Sequence, residues 1–325
     1  MADKIVSALV LKHFRIYAIA VVYLVIMGIF MITAPRAFLG YRIYMSFLST
    51  IPFSLIMALG LTFVITAGEI DLSFPSVMAF AGFIFSVTFL KTGSIFIALL
   101  CSLITGMVIG FINGLIIVKI GVPSIIATLS TNFVWTGLAK VLCQGKQLVL
   151  ADSREMFLSQ LFVGRIGGIV PAQAIWALGL AILFALILNR HRFGEHVMFI
   201  GDNREAARMI GVNVDQTMMG IFALNGALAA FASVILGLEM VTWWPTQGPG
   251  YLLITVAAVF IGGTSIYGGE GTMFGTVFGA FIVGSMTAGI TASGVGGFWS
   301  ELVVGLVMLA AILTNIIVGK KYQQK

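Results

Sequence analysis

The stretch IFIALLCSLITGMVIGFINGLIIV, residues 95–118, contains no charged side chain. A helix needs about 20 consecutive, mostly apolar residues to cross the hydrocarbon core of a bilayer. A helix on the surface of a soluble protein would instead carry charged residues along its solvent-facing side. We therefore predict that residues 95–118 form a transmembrane helix.

The rest of the chain has the same character. It has 325 residues, of which 60% are hydrophobic and 9% charged, and its mean hydropathy is +1.10. Soluble domains contain about 25% charged residues. The composition therefore predicts an all-α membrane protein that crosses the bilayer many times.

Polar residues, glycines and prolines divide the chain into about ten apolar segments. They cover residues 15–34, 43–66, 75–90, 95–118, 123–143, 172–190, 217–241, 251–267, 272–291 and 298–318. Each is predicted to be a transmembrane helix. The segments 75–90 and 251–267 are short, which predicts broken or re-entrant helices at these two places.

The basic residues predict the orientation. An even number of spans places both termini on one side. With both termini in the cytoplasm, eleven of the 18 Lys and Arg residues lie on that side and seven on the other. Positive residues accumulate in cytoplasmic loops, so this orientation is predicted. No basic run has interleaved aromatic residues, and no nucleic acid partner is expected.

Three pairs of similar positions suggest an internal repeat. Each pair is separated by 173 or 174 residues, and the pairs are Pro75 with Pro249, Gly110 with Gly284, and Gly121 with Gly294. Spans two to five would then correspond to spans seven to ten, in opposite orientations. Inverted repeats of this kind are typical of transporters. Chance recurrence among the 38 glycines of the chain is the alternative.

Two sets of glycines recur every fourth residue, namely Gly106, Gly110 and Gly114, and Gly271, Gly275 and Gly279. Such a stripe without side chains lets a neighbouring helix approach closely, which stabilises helix pairs in lipid. Both stripes are therefore predicted to be packing surfaces. Replacing Gly110 with Leu is expected to force its helix pair apart.

The stretch ITAGEIDLSFPSVMAF, residues 65–80, places Glu69 and Asp71 in a break between two spans. The favoured interpretation is helix capping, in which Asp71 or Ser73 accepts hydrogen bonds from free backbone amides and Pro75 occupies the first turn. The alternative is a gate or a contact with a transported solute.

Other polar and aromatic residues are candidates for a translocation path. Trp243 and Trp244 form an aromatic belt at the membrane surface or, together with Gln247, contact a polyhydroxylated ligand. Asn113 and Asn132 lie within spans, where polar side chains bond to neighbouring helices or line a watery path. Few charged residues lie deep in the spans, which argues against an ion-coupled pump. No metal site or catalytic cluster is visible.

The stretch NREAARMIGVNVD, residues 203–215, is a polar island in this apolar chain. Asp202 or Asn203 is predicted to cap a short helix that Gly211 ends. The orientation above places this helix in the cytoplasm. It either presents small apolar residues to a partner protein or rests on the bilayer surface.

At this point a family resemblance is informative. FIGDNREAARMIGVNV, residues 199–214, resembles the coupling segment of bacterial ABC importer permeases of the monosaccharide class, within the branched-chain amino acid and sugar permease superfamily. Further similar segments are ITAGEIDLS (65–73), IATLSTNFVWTGL (126–138), PTQGPGYLLITVAAVFIGGTSIYGGEG (245–271) and GTVFGAFIVG (275–284). The resemblance extends over residues 15–318. The chain departs from the family pattern at Phe74 and Pro75, where Val-Gly is usual.

The resemblance implies a vitamin B12-permease-like importer fold for residues 1–325, as one transmembrane permease domain with a cytoplasmic coupling segment at about 191–216. It implies a bacterial cytoplasmic (inner) membrane location and a monosaccharide or similar solute. The implied partners are a cytoplasmic ATPase that binds ATP and Mg, a periplasmic or lipid-anchored binding protein, and a second permease subunit, either this chain or a homologue. The permease itself would bind no cofactor and catalyse no reaction.

The resemblance also assigns Asn203, Glu205, Ala206, Ala207, Arg208 and Gly211 to a helix that docks on the ATPase. Replacing Ala207 with Arg is expected to leave the permease folded but to uncouple ATP hydrolysis from uptake. The alternatives are an ABC permease for branched-chain amino acids or nucleosides and an ion-coupled secondary transporter.

Overall fold

The computed structural model describes residues 19–294 and 296–323 as an almost entirely helical chain. Its helices are α1 (Ile19–Thr33), α2 (Pro35–Phe38), α3 (Tyr41–Thr66), α4 (Phe74–Thr92), α5 (Ile95–Leu115), α6 (Ser124–Cys143), α7 (Phe157–Val163), α8 (Ala172–Arg190), α9 (Arg192–Asp202), α10 (Arg204–Met209), α11 (Val214–Met240), α12 (Leu252–Ile261), α13 (Met273–Ala292) and α14 (Trp299–Gln323). The first four residues of the predicted span 15–34 and both chain termini lie outside the described residues.

Short elements complete the fold. A π-helical turn, Ile116–Ile120, extends α5, and single 3₁₀ turns cover Ala151–Ser153 and Pro249–Tyr251. Four two-residue strands pair antiparallel, β1 (Leu148–Val149) with β4 (Thr242–Trp243) and β2 (Arg165–Ile166) with β3 (Val170–Pro171).

Seven helices of the described chain are long and apolar enough to cross a membrane, namely α3, α4, α5 with its π-helical turn, α6, α8, α11 and α13. Three shorter apolar helices cover Ile19–Thr33, Pro249–Ile261 and Trp299–Leu313. The all-α, multi-pass prediction is thus confirmed in its coarse form. The count of ten spans stays a prediction.

The two spans expected to be irregular differ in the structure. The expectation for residues 75–90 is wrong, because α4 is an unbroken helix of 19 residues. The short helix α12 agrees with the expectation for residues 251–267, although it ends early, at Ile261. Gly263 follows with a φ of +84°, a backbone conformation that glycine adopts readily and that ends the helix.

The helices α3 and α11 form the centre of the bundle. In the most apolar 18-residue stretch of each helix, about four-fifths of the residues are buried, 83% in α3 and 78% in α11. α11 packs against α3, α4 and α5, whereas α3 also packs against α8, α12 and α13. By contrast, only 17% of the most apolar 18-residue stretch of α6 is buried. Most of the surface of α6 therefore faces out of this single chain.

Close backbone approach at glycine holds the centre together. A Cβ atom at Gly110 would collide with the carbonyl oxygen of Phe222 on α11, and one at Gly106 would collide with that of Gly226. Gly275 and Gly279 make the same kind of contact with α12. The predicted packing role is confirmed for these four and for Gly114, where a Cβ atom would collide with the backbone of Met219 on α11. It is wrong for Gly271 as part of a helical stripe, because Gly271 precedes α13 and lies against the Thr66 side chain.

Candidate functional site

The polar island folds as the predicted short helix. The Asn203 side-chain oxygen accepts a hydrogen bond from the amide of Ala206 at 3.0 Å and so caps α10. Gly211 has a φ of +88° just beyond the helix. A side-chain cap at the start and a left-handed glycine at the end are the usual terminators of a helix. The choice of Asn203 over Asp202 is settled, because Asp202 is the last residue of α9.

The helix α9, which leads directly into α10, was not predicted from the sequence. Its residues Gly194, Val197 and Ile200 are buried, while Arg192, Glu195 and Phe199 are exposed. Buried residues three apart on an otherwise polar segment are the pattern of an amphipathic helix. The three-residue spacing of these apolar positions could have predicted α9 from the sequence. The pattern was hard to recognise because the segment has the high charge density of a loop.

One side of α10 is exposed and the other is buried. Glu205, Ala206, Arg208, Met209 and Ile210 are exposed, and Met209 and Ile210 are 85% and 65% accessible. Ala207 is only 1% accessible and belongs to the hydrophobic core. The expectation that Ala207 is an exposed docking residue is therefore wrong. An Arg at this position would have to enter packed apolar surroundings, so Ala206 is the appropriate position for testing docking.

Ion pairs connect the polar island, residues 203–215, to two other parts of the chain. Lys119, at the end of the π-helical turn, pairs with Asp215 on α11 at 2.7 Å. Arg208 lies 2.8 Å from Glu205 and 3.8 Å from Asp215. Arg204, the first residue of α10, pairs with Glu69 in the break between α3 and α4. Glu69 therefore lies at the same end of the bundle as α10.

Asp71 lies in the same break but is buried in a polar cluster. We call Asp71, Ser73, Asn113 and Asn225 the Asp71 cluster; each is at most 1% accessible. Asp71 Oδ1 accepts hydrogen bonds from the backbone amide of Ser73 at 2.7 Å and from its hydroxyl at 2.6 Å. Asn225 Nδ2 donates to Asp71 Oδ2 at 2.8 Å, and Asn113 Nδ2 donates to Ser73 Oγ at 2.7 Å.

The expected capping of α4 is wrong in one respect, because its N-cap Ser73 makes no side-chain capping hydrogen bond and Asp71 accepts the amide of Ser73 itself. Pro75 does lie in the first turn, as predicted. The cluster instead joins the break to α5, through Ser73 and Asn113, and to α11, through Asp71 and Asn225. The side-chain oxygens of both asparagines are buried without a hydrogen-bond partner. Long-range partners of this kind have no signature in the sequence.

Trp243 and Gln247 are buried in a segment that lies along α4. Trp243 is 1% accessible and its Nε1 donates to the carbonyl oxygen of Ala79 at 3.0 Å. Gln247 is 3% accessible and donates to Ser233 Oγ at 2.6 Å. The aromatic-belt interpretation is wrong for Trp243, which packs within the protein, whereas Trp244 is partly accessible.

Asn132 has different surroundings from the other asparagines. It lies on α6, is half-buried, and has no side-chain hydrogen bond to any other described residue. Of the predicted path residues, Asn132 and Trp244 are accessible, whereas Asn113, Asp71, Trp243 and Gln247 are buried. Among the described residues, no group of three or more His, Cys, Asp and Glu side chains is arranged to hold a metal ion.

Long apolar helices packed through glycine, with a capped polar helix at one end, are the architecture of a multi-pass membrane protein. Residues 43–312 match the family described as "Branched-chain amino acid transport system / permease component". The match covers most of the chain, and the protein belongs to this family. It is accordingly a transport subunit and not an enzyme, as predicted.

Three relatives are similar over most of their length. The L-arabinose transport system permease protein AraH of Escherichia coli (strain K12) is 33% identical over 83% of this chain and 79% of its own. The ribose import permease protein RbsC of Haemophilus influenzae is 34% identical over 82% of both chains. The autoinducer 2 import system permease protein LsrC of Salmonella typhi is 28% identical over 91% of this chain and 84% of its own. No solved structure matches the chain.

Proposed function

We propose that this chain is the permease subunit of an ATP-driven importer in a bacterial cytoplasmic membrane, and that its solute is a monosaccharide or a similar small polyhydroxylated compound. The names of the relatives, which concern arabinose, ribose and autoinducer 2, support this class of solute. Permeases for branched-chain amino acids are the second candidate, favoured by the description of the family.

The observation that carries the proposal is the exposed side of α10. Ala206, Met209 and Ile210 present apolar surface at an end of the bundle that is otherwise rich in ion pairs. Exposed apolar side chains rimmed by charges are typical of a protein contact. The partner is a cytoplasmic ATPase that binds ATP and Mg itself, so that this chain needs no cofactor. Asn203 and Gly211 set the ends of the docking helix, and Glu205 and Arg208 lie at its rim.

The other components of the importer follow from this role. A periplasmic or lipid-anchored protein delivers the solute, and a second permease subunit, either this chain or a homologue, completes the path beside α6. Both termini face the cytoplasm. Residues 1–325 form one permease domain, with a coupling segment at about 191–216.

Ten spans with an inverted repeat and a vitamin B12-permease-like arrangement are the proposed topology. The packing of the described helices supports it. α11 packs against α4 and α5, and α3 packs in the same way against α12 and α13. α4 contacts α6 as α12 contacts α14. When α3, α4, α5 and α6 are matched in order with α11, α12, α13 and α14, each contact described for one set has a counterpart in the other.

The test is uptake by the complete complex of permease, ATPase and binding protein in proteoliposomes. ATP-dependent uptake of radiolabelled arabinose or ribose is expected, and uptake of leucine instead would favour the second candidate. Replacing Ala206 with Arg should abolish uptake, because a large charged side chain would obstruct the docking contact. The matched control is Ala151→Arg, at an exposed alanine outside the coupling segment. Equal uptake by the two variants would contradict docking through α10.

A further inference from the structure

The break between α3 and α4 contacts four different helices through five consecutive residues. We call residues 69–73 the junction. Its Glu69 pairs with Arg204 of α10, and its Asp71 and Ser73 bond to α11 and α5 within the Asp71 cluster. The two residues in between use their backbone amides. Ile70 N donates to Ser124 Oγ at 3.2 Å, and Leu72 N donates to Thr128 Oγ1 at 3.0 Å.

Ser124 and Thr128 both belong to α6, and they precede Asn132 at a spacing of four residues. Residues four apart lie on one stripe of a helix. The junction is therefore attached to the side of α6 on which the half-buried Asn132 lies. Most of α6 faces out of this single chain, and its main packing partner within the chain is α4, which begins at the end of the junction. A shift of the junction would therefore be passed on to α6.

The end of α3, three residues before the junction, is also in backbone contact with the helix that leads into α10. A Cβ atom at Gly201 of α9 would collide with the carbonyl oxygen of Thr66 and with the amide nitrogen of Gly269. The same Gly269 amide donates to the Thr66 carbonyl at 2.9 Å. The ends of α9 and α3 and the loop before α13 thus touch without intervening side chains. Close-packed backbone transmits displacement because it cannot be compressed.

We propose that the junction carries the movement of α10 to α6, and that Glu69 and Arg204 are the positioning residues that tie the two together. The inference rests on the proposed function, in which an ATPase moves α10. The Glu69 side chain is 12% accessible and that of Arg204 is 39% accessible. A pair that is partly exposed adds little to folding stability, so its effect is on the position of the junction relative to α10.

The chain contains a matched pair as a control. Arg165 and Glu239 form an ion pair of 2.6 Å with nearly the same accessibility, 39% for Arg165 and 15% for Glu239. Glu239 lies near the end of α11 opposite to Asp215, away from α10. Glu239→Gln therefore removes an equivalent carboxylate that has no contact with the junction.

The experiment uses the complete complex in proteoliposomes and has two readouts. The first is the amount of solute taken up per ATP hydrolysed. The second is the rate at which a maleimide labels a cysteine at position 132, with and without ATP. This readout needs Asn132→Cys in a chain whose free cysteines, Cys101 and Cys143, are replaced by Ala. A side chain with a purely structural role would not change the ATP dependence of labelling.

Glu69→Gln is expected to lower uptake per ATP at least about twofold and to reduce the ATP-dependent change in labelling, as observed for residues that carry coupling between sites. Arg204→Gln should have the same effect, and the double variant should be no worse than either alone. Arg204→Lys, which keeps the positive charge, should restore most of the coupling, and Glu239→Gln should match the unsubstituted permease.

Two negative results have different meanings. If the unsubstituted complex takes up no solute with ATP, the proposed function fails. If it does so, and both Glu69→Gln and Arg204→Gln behave like Glu239→Gln in both readouts, the proposed function stands and the role of the junction is overturned. Since Arg204 is partly exposed, Arg204→Gln tests the pair even if Glu69→Gln lowers the yield of folded permease.

Discussion

The Asp71 carboxylate receives three hydrogen bonds, two from Ser73 and one from Asn225. It is the one charged residue among the fully buried side chains of the described chain. A buried carboxylate is tolerated only when its oxygens are well supplied with donors. The side-chain amide of Asn225 is therefore needed to stabilise the buried carboxylate of Asp71.

This relation predicts that Asn225→Ala destabilises the permease. The substitution leaves Asp71 Oδ2 without its donor, and an unsatisfied buried polar group costs about 1–3 kcal/mol. The midpoint of thermal unfolding in detergent, followed by fluorescence-detected size exclusion, should fall. Asn132→Ala is the control, because Asn132 has no side-chain hydrogen bond in the described structure. A similar fall for both variants would show that the cluster has no particular role in stability.

At the scale of helices, α5 and α11 are the pair that depends most on glycine. Gly106 and Gly226 face each other, each so close that a Cβ atom would strike the carbonyl oxygen of the other. Gly110 lies one turn further, against Phe222. Lipid provides no hydrophobic driving force between helices, so the dispersion contacts of a close approach hold the pair.

Gly110→Ala is therefore expected to destabilise the permease by about 1–3 kcal/mol, the usual effect of overpacking a dense core. The measurement is the same thermal midpoint in detergent. Gly179→Ala on α8 is the matched control, since a Cβ atom there meets nothing within 4 Å. Alanine is the better helix former, so this control should be neutral or stabilising. An unchanged midpoint for Gly110→Ala would contradict the tight α5–α11 contact.

At the scale of the whole molecule, the fully buried interior of the described residues contains very few charged groups. Asp71 stands alone there as a charged group among the described residues. Proton relays and ion-coupled pumps need chains of ionisable groups within the membrane. This composition of the interior agrees with the proposal that a separate ATPase supplies the energy for transport.

Uptake by the reconstituted complex should therefore be insensitive to ionophores that collapse proton and sodium gradients, and it should stop when the ATPase is left out. Initial rates of radiolabelled solute uptake measure both effects. Uptake by the permease alone, driven by an imposed gradient, would instead support a secondary transporter. That result would also remove the reason for α10 to have an exposed apolar side.

The sequence by itself determined the features that depend on local composition and spacing. The apolar runs predicted where the long helices lie, Asn203 and Gly211 predicted the ends of α10, and glycines four residues apart predicted close packing. The amphipathic helix α9 was missed although its spacing was present, because its charge density is that of a loop. Helix propensity, capping and hydrophobic periodicity are properties of neighbouring residues, and they can be read along the chain.

Only the tertiary structure decided which residues meet across the bundle. Glu69 and Arg204 are 135 residues apart and Asp71 and Asn225 are 154 apart, so no local pattern connects them. The burial of Ala207 and Trp243 was decided in the same way, since either face of a short helix or loop segment can be turned inward. Packing against distant segments selects the buried face, because close contacts and hydrogen bonds across the bundle depend on the arrangement of the whole chain rather than on any one segment.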